Sequence, residues 1–432
     1  MTQPIKIFKF GGASIKDAQA IRNVAEILQN HREEALLIVV SAMGKTTNGL
    51  EKIVQAHAQR NGQAYEHLEV VKNHHFAVMR ELFPAEHDIF AQINDTFVEI
   101  EWSLEEDPHD NYDFMYDQIV SVGELASTKI VAAFLNSLDL KTHWLDARDV
   151  IRTDNLYREG WVLWDDTLSR AQQYALAPLE AGSFVLTQGF IGSTSENFTT
   201  TLGREGSDYS AAIFSYCLDA ESMTIWKDVP GVLTADPRLF ENVTKLDRIT
   251  YKEAIEMTYY GAKVIHPKTI KPLQNKSIPL YVKSFIDPKG SGTYISTEVE
   301  DNYPPMIAVE QNQATLHIST RDFSFVAEHH LSELFQLMAE YRLQVNMMQN
   351  TAISFVVCVN DIDDRVARFS QRIQERFKVR IDRNLELITV RHYQEEMLAN
   401  LRRRKIVLLE ERLPKTVQLV LKNIPMMIRK EG

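Results

Sequence analysis

Residues Ile5 to Ser14 (IKIFKFGGAS) constrain this chain more than any other stretch. Apolar and polar side chains alternate as in a half-buried strand, and two glycines then break the run. A helical stripe follows, with Ala18, Ile21, Val24, Ala25 and Leu28 on one face and Asp17 near its start. A strand that stops at glycines ahead of a helix leaves backbone N–H groups without partners. Those amides and the positive end of the helix dipole suit phosphate oxygens. Lys9, two residues before the glycine pair, can set its ammonium over a β- or γ-phosphate. A plain strand–helix turn with a solvated Lys9 meets the same pattern, because short glycine motifs recur widely.

The chain around this stretch has 432 residues, enough for two or three domains. A net charge of −12 argues against a broad nucleic-acid surface but not against a nucleotide site, where a few local lysines suffice. Cys217 and Cys358 are the only cysteines, which excludes a disulfide framework and a thiolate metal cluster. The N-terminus carries no basic segment followed by an apolar core, and no apolar run reads as a membrane span. A reduced, cytoplasmic setting without membrane or nucleic-acid partners is expected.

Ala35–Val40 (ALLIVV) is a continuous apolar run, as in a strand buried on both faces of a mostly parallel sheet. It enters Ser41-Ala42-Met43-Gly44-Lys45-Thr46-Thr47-Asn48, a hydroxyl-rich strand end that suits a small polar substrate. Gly44-Lys45-Thr46 only imitates a P-loop, because Val39 stands where that motif needs its first glycine. Leu50 to Asp113 reads as polar helix, with His74 and His75 solvated or capping rather than metal-bound. Asp117–Asn136 reads as a helix carrying Ser121-Val122-Gly123-Glu124, in which Glu124 can accept from a substrate ammonium. His143–Asp146, Ser183–Gln188, Ser222–Trp226 and Ile278–Val282 read as strands, the last closing this part of the chain. Thr199 to Ala212 (TTTLGREGSDYSAA) gathers hydroxyls, glycines, Arg204 and Asp208 at a helix start. There Arg204 can grip a carboxylate as a fork and Asp208 can position lysines. Beyond Pro304-Pro305, strands and helical stripes alternate as β-α-β-β-α-β through Val390, a ferredoxin-like unit, followed by part of a second copy.

Taken in order, KFGGAS, VVSAMGKTTN, SVGE, TTTLGREGSD, WKDVPGVLTADPR and YYGAKVIHP resemble the motifs of aspartate kinases of the amino-acid kinase superfamily. The tail resembles an ACT regulatory region, on topology and on Val345-Asn346-Met347-Met348-Gln349-Asn350 with Ser354-Phe355. The resemblance implies a three-layer α/β/α kinase domain over residues 1–293, with a helical stretch at 50–113. A linker at 294–305 and an ACT region at 306–432, one complete unit and a partial second, would follow. It implies transfer of the ATP γ-phosphoryl group to the aspartate side chain with Mg²⁺, the first step toward lysine, threonine and methionine. Carried over residue by residue, Lys9, Gly11, Gly12 and Ser14 form the phosphate cradle, and Lys263 is the second phosphate lysine. Lys227, Asp228, Leu233, Arg238 and Val264 frame the nucleotide. Ser41, Thr47, Glu124, Arg204 and Ser207 hold aspartate, with Phe190 in support and Asp208 organising the centre. Lys9, Asp208 and Lys263 are thus the catalytic set, and no protein side chain is assigned to the metal. Lysine or threonine as effector, near Gln349 and Asn350, and a homodimer or homotetramer through the ACT units complete the expectation.

Two residues depart from the family pattern inside these motifs. Ala13 stands where threonine is usual, and Glu205 where glycine is usual. A carboxylate aimed inward at Glu205 would oppose the triphosphate by ~1 kcal/mol in water and ~4 kcal/mol at intermediate dielectric. These departures motivate an alternative, a catalytically weakened homologue acting as an amino-acid-binding regulatory subunit.

Overall fold

The computed structural model describes residues 3–261, 265–297, 302–322 and 324–424. The chain forms two compact units. The first comprises residues 1–232, 245–255 and 264–301, and the second residues 233–244, 256–263 and 302–432.

In the first unit β1 (Ile5–Phe10) passes through a 3-10 turn at Gly12–Ile15 into α1 (Ala18–Gln29), whose N-cap is Asp17. Next come β2 (Ala35–Val40), α2 (Thr46–Ala58), α3 (Ala64–Leu82), α4 (Ile89–Glu105), α5 (Tyr112–Val120) and α6 (Val122–Ser137). Then follow β3 (Thr142–Leu145), α7 (Ala147–Val150), α8 (Trp164–Glu180), β4 (Phe184–Gln188), β5 (Ile191–Ser193) and β6 (Thr199–Thr201). The remainder is α9 (Gly206–Cys217), β7 (Ser222–Lys227), β8 (Arg248–Thr250), α10 (Tyr251–Tyr259), α11 (Pro267–Asn275), β9 (Leu280–Ser284) and β10 (Thr293–Ser296). The last residues of α10 cluster with the second unit.

Eight strands form one sheet in the order β3-β4-β2-β1-β7-β9-β10-β8, parallel except where β10 meets β9. Leu36, Ile38 and Val40 on one face of β2 join a core with Ile21, Val24, Ile53 and Ile130 from the flanking helices. Leu37 and Val39 on the other face are equally buried, and α8 and α9 pack on β1 and β2. The unit is therefore three layers, and each fully buried aliphatic side chain contributes about 1.5–3 kcal/mol. β1 is a central strand between β2 and β7, and Ile7 to Phe10 are buried on both faces, not half-buried as the alternation implied.

Three further expectations need correction. Leu280–Ser284 is not the last strand, because β10 extends the sheet beyond the boundary at 293 and takes 294–296 out of the expected linker. β8 and β10 span three and four residues, too few for periodicity to reveal. His75 is buried, not solvated: its Nδ1 bonds the Val71 carbonyl, and burial pushes its pKa down to about 4. Finally, Tyr112–Ser137, α5 and α6 almost end to end, is long and apolar enough to cross a membrane by length and composition. Most of that segment is buried inside the unit, as a core helix is.

The second unit holds β11 (Met306–Thr320), α12 (Glu328–Glu340), β12 (Val345–Asn350), β13 (Ser354–Asn360), α13 (Arg365–Ile373), β14 (Phe377–Arg391), α14 (Glu395–Arg402), β15 (Lys405–Leu413) and β16 (Thr416–Asn423). Its strands order as β12-β13-β11-β14-β16-β15, all antiparallel. β12, β13, the later part of β11 and the start of β14 make the expected β-α-β-β-α-β unit, with α12 and α13 over one face. The second copy is more complete than expected. Met306–Glu310 of β11 pairs with Leu387–Arg391 of β14, which pairs with β16 and through it with β15. That is the same four-strand order with α14 over it, its fourth strand supplied from ahead of the first copy in sequence. Register shifts between Glu310 and Thr315 let β11 serve both halves. Gln349 Nε2 donates to the Glu410 carbonyl at 3.0 Å, so the sheet curls and its two edge strands meet.

Candidate active site

Parallel strands end together, so the loops after β1, β2, β4 and β7 gather along one edge of the first sheet. The Gly12 and Ala13 amides precede the first hydrogen bond of the 3-10 turn, which runs from Ser14 N–H to the Gly11 carbonyl at 3.0 Å. A side chain on Gly12 would lie 2.7 Å from the Ala42 carbonyl oxygen and 2.9 Å from that of Gly44, so only glycine fits. Gly44 N–H donates to the Gly12 carbonyl and Ser41 N–H to the Phe10 carbonyl, which joins the first two loops. The Ser14 hydroxyl donates to the Gly11 carbonyl at 2.6 Å and is buried, so it braces the turn from within.

Lys9 does not project into solvent. It is buried, with Nζ 2.6 Å from Asp208 Oδ1 in the first turn of α9. Burial pushes the Asp208 carboxyl up, but Lys9, with Lys227 and His266, more than reverses this and holds it below the ordinary carboxylate range. A buried anion therefore gathers two lysines at the strand ends. His266 caps α11, its Nδ1 accepting from Lys268 N–H.

Glu124 lies in the first turn of α6, fully enclosed. Oε1 accepts from Ala42 N–H at 3.3 Å, and Oε2 has no hydrogen-bond partner. Burial pushes its pKa up to about 8, against the opposing pull of the Ala42 amide. A side chain on Gly123 would meet Thr46 Cγ2 at 2.9 Å, which is how α6 comes so close to the β2 loop. Ser41 and Thr47 lie half-buried on that loop and the start of α2.

After β4, Phe190 takes a left-handed conformation (φ 73°); its N–H donates to Ser210 Oγ, and its carbonyl accepts from Leu202 N–H. Ser207 is half-buried, and a side chain on Gly189 would lie 2.5 Å from its Cβ. Arg204 is exposed. Glu205 is exposed too and caps α9 in a left-handed conformation, φ 55° and ψ 26°. That backbone explains why glycine suits the position, since a side chain there costs about 1–2 kcal/mol. Its carboxylate faces water, the weak limit of the repulsion considered above.

Lys227 ends β7 and Asp228 follows it, exposed. Leu233 and Arg238 belong to the second unit, where Arg238 forks onto Asp236. Lys263 and Val264 lie outside the described residues. Gln349 and Asn350 sit exposed at the end of β12. Among the described residues no group of three or more His, Cys, Asp or Glu side chains is arranged to hold a metal.

Sequence reasoning passed over Asp117 and Gln118. Both sit on α5, and both bind β6: Gln118 pairs with Thr199 through both its amide atoms, and Asp117 takes three donors from Thr201 and Arg158. The signal was two polar residues inside the apolar run Met115–Val120.

The model of the amino acid kinase family matches residues 4–284. The lysine-sensitive aspartokinase 3 of Escherichia coli (strain K12) is 33% identical over 82% of this chain and 78% of its own length. The aspartokinase of Chlamydia trachomatis is 32% identical over 72% of this chain and 70% of its own. Against a bifunctional aspartokinase/homoserine dehydrogenase of Arabidopsis thaliana the chain spans 42% of the relative's length, at 30% identity over 86% of this chain. The crystal structure of E. coli aspartokinase III in complex with aspartate and ADP superposes with a TM-score of 0.81, at 27% identity over 96% of both chains. The form of that enzyme with lysine and aspartate gives 0.82, over 96% of this chain and 95% of that one. The chain belongs to the amino acid kinase family and, within it, to the aspartokinases.

Proposed function

We propose that this chain is an ATP-dependent aspartate kinase that transfers the γ-phosphoryl group to the side-chain carboxylate of L-aspartate. The observation that carries the proposal is the Lys9–Asp208 pair beside the Gly11-Gly12 turn, with Glu124 Oε2 left without a partner at the neighbouring loop. The acceptor carboxylate is ionised at pH 7 and needs no general base. The barrier is the meeting of an anion with a triphosphate, so catalysis rests on position and charge. Gly12 lets phosphate oxygens reach the Gly12 and Ala13 amides, and Lys9, held in place by Asp208, faces the transferred group. Lys227 adds positive charge at the same strand ends. Glu124 takes the aspartate ammonium, Arg204 forks onto its α-carboxylate, and Ser41, Thr47 and Ser207 supply hydroxyls. Mg²⁺, when bound with the nucleotide, would supply positive charge against the triphosphate, and no side chain of this chain is assigned to hold it.

The E. coli relatives, one of them named lysine-sensitive, support an amino-acid effector for the second unit. Lysine or threonine there, near Gln349 and Asn350, a homo-oligomer paired through that sheet, and a cytoplasmic setting complete the proposal. The test is an assay with ATP, Mg²⁺ and aspartate in which acyl phosphate is trapped by hydroxylamine. Hydroxamate that depends on aspartate and on Lys9 is expected. No product at high enzyme, with activity appearing on Glu205→Gly, would favour the weakened regulatory homologue instead. Titration of lysine and threonine, singly and together, should change activity or sedimentation; no change in either would remove the effector assignment.

A further inference from the structure

We infer that Asp117 is a positioning residue for aspartate: from α5 it fixes β6, and so sets Arg204 in register with Glu124 on α6. This rests on the proposed roles of Arg204 and Glu124. Asp117 is fully buried. Its Oδ2 accepts from Thr201 N–H at 2.8 Å and Arg158 N–H at 2.9 Å, and its Oδ1 accepts from the Thr201 hydroxyl at 2.7 Å. Both oxygens are therefore committed to the strand end and to the turn beside it. Arg158 N–H is held in a left-handed turn (φ 68°), and the carbonyl of the same residue lies 3.2 Å from where a side chain on Gly203 would stand. Gly160 N–H closes the arrangement on the Thr201 carbonyl at 2.9 Å.

From Thr201 the chain runs only two residues before Arg204, and from Asp117 it runs through the Ser121 junction to Glu124. One buried carboxylate thus ties the two side chains assigned to the α-carboxylate and the ammonium of one substrate. Burial pushes its pKa up to about 6 in spite of three donors, so its charge is costly where it stands. Geometry is what the carboxylate supplies, and an amide can supply the same. The oxygen of an asparagine can accept both backbone N–H groups while its NH₂ donates to the Thr201 hydroxyl.

The experiment measures kcat and KM for both substrates in Asp117→Ala, Asp117→Asn, Thr201→Val and Arg204→Ala. Asp117→Ala should raise KM for aspartate on the order of tenfold or more while KM for ATP stays within about twofold. Asp117→Asn should remain within about threefold of the parent for aspartate. Should Asp117→Ala fail to fold, Thr201→Val carries the same test, because it removes one donor and leaves the carboxylate in place. A folded Asp117→Ala with unchanged KM for aspartate overturns the inference. So does an equal rise for both substrates, or an Asn variant as impaired as Ala. If Arg204→Ala leaves KM for aspartate unchanged, the clamp reading itself fails and takes this inference with it. If Arg204→Ala raises that KM while Asp117→Ala does not, only the positioning role is lost.

Discussion

The two sheets treat buried polarity in opposite ways. At the parallel sheet, Lys9 stands near the end of β1, while Asp208, Glu124 and Asp117 stand on the helices α9, α6 and α5. Of these, Glu124 Oε2 and Asp208 Oδ2 are left without a hydrogen-bond partner. In the antiparallel sheet the central polar cluster is built of amides with one carboxylate at its side, Glu310, whose Oε2 accepts from Asn346 at 3.3 Å. Asn346 donates to Gln313 at 2.8 Å and to Asn360 at 2.9 Å, and Gln313 donates to Asn360 at 2.7 Å. The buried Arg391 there is matched by Glu256 and Thr416. The first arrangement holds charge ready for a ligand at a cost to the free protein, and the second bonds mainly within itself, though Thr315 Oγ1 has no hydrogen-bond partner. Substitutions in the first should therefore move kinetics, and substitutions in the second should move stability.

The largest effect should follow Lys9→Met, with kcat falling on the order of 100-fold or more. The same variant strands Asp208 as a buried anion, which costs about 3–5 kcal/mol. Adding Asp208→Asn should restore the melting temperature without restoring kcat. Recovery of activity in the double variant would break the assignment of Lys9.

Next comes Glu124→Gln, with KM for aspartate rising about 100-fold and KM for ATP little changed. The folded pKa near 8 lies above the ordinary 4.5, so the folded state holds this proton more tightly than the unfolded chain. The ligand-free protein therefore loses stability from this group as pH rises from about 4.5 to about 8. Glu124→Gln should melt higher than the parent at pH 8.5, with the gap closing near pH 5. KM for aspartate in the parent should fall over the same rise, as the carboxylate ionises, and this slope should vanish in the variant. A variant less stable at pH 8.5 would contradict the contrast between the sheets.

Asn346→Ala tests the other side. It should cost about 1–3 kcal/mol in stability through the donor that Gln313, Asn360 and Glu310 lose. Its kcat and both KM values without effector should match the parent. The smallest effect is Glu205→Gly, which should stabilise the protein by about 1 kcal/mol by relieving the left-handed residue. Since Glu205 faces water, kcat should change less than about tenfold. A larger gain would revive the weakened-homologue reading.

Much of this was legible in the chain because the kinase sheet announces its strand ends through glycines. Gly12 and Gly123 mark close approaches that no other residue allows, and Ala35–Val40 reads as a strand covered on both faces. The Lys9–Asp208 pair was legible only as two motifs, since 199 positions separate its members and proximity is a property of the sheet order. Asp117 was missed because a lone carboxylate in a helix looks like surface until its donors are seen. The second regulatory copy looked partial because its fourth strand lies before the first copy in sequence, inside the long β11. Short β8 and β10 left no periodic trace at all.

The most direct test of the central claim is a structure with ADP and L-aspartate bound. The account predicts diphosphate oxygens on the Gly12 and Ala13 amides near Lys9, and the aspartate ammonium about 3 Å from Glu124 Oε2. A bound aspartate whose ammonium lies elsewhere, with Glu124 Oε2 still facing nothing and the diphosphate away from Lys9, would contradict it.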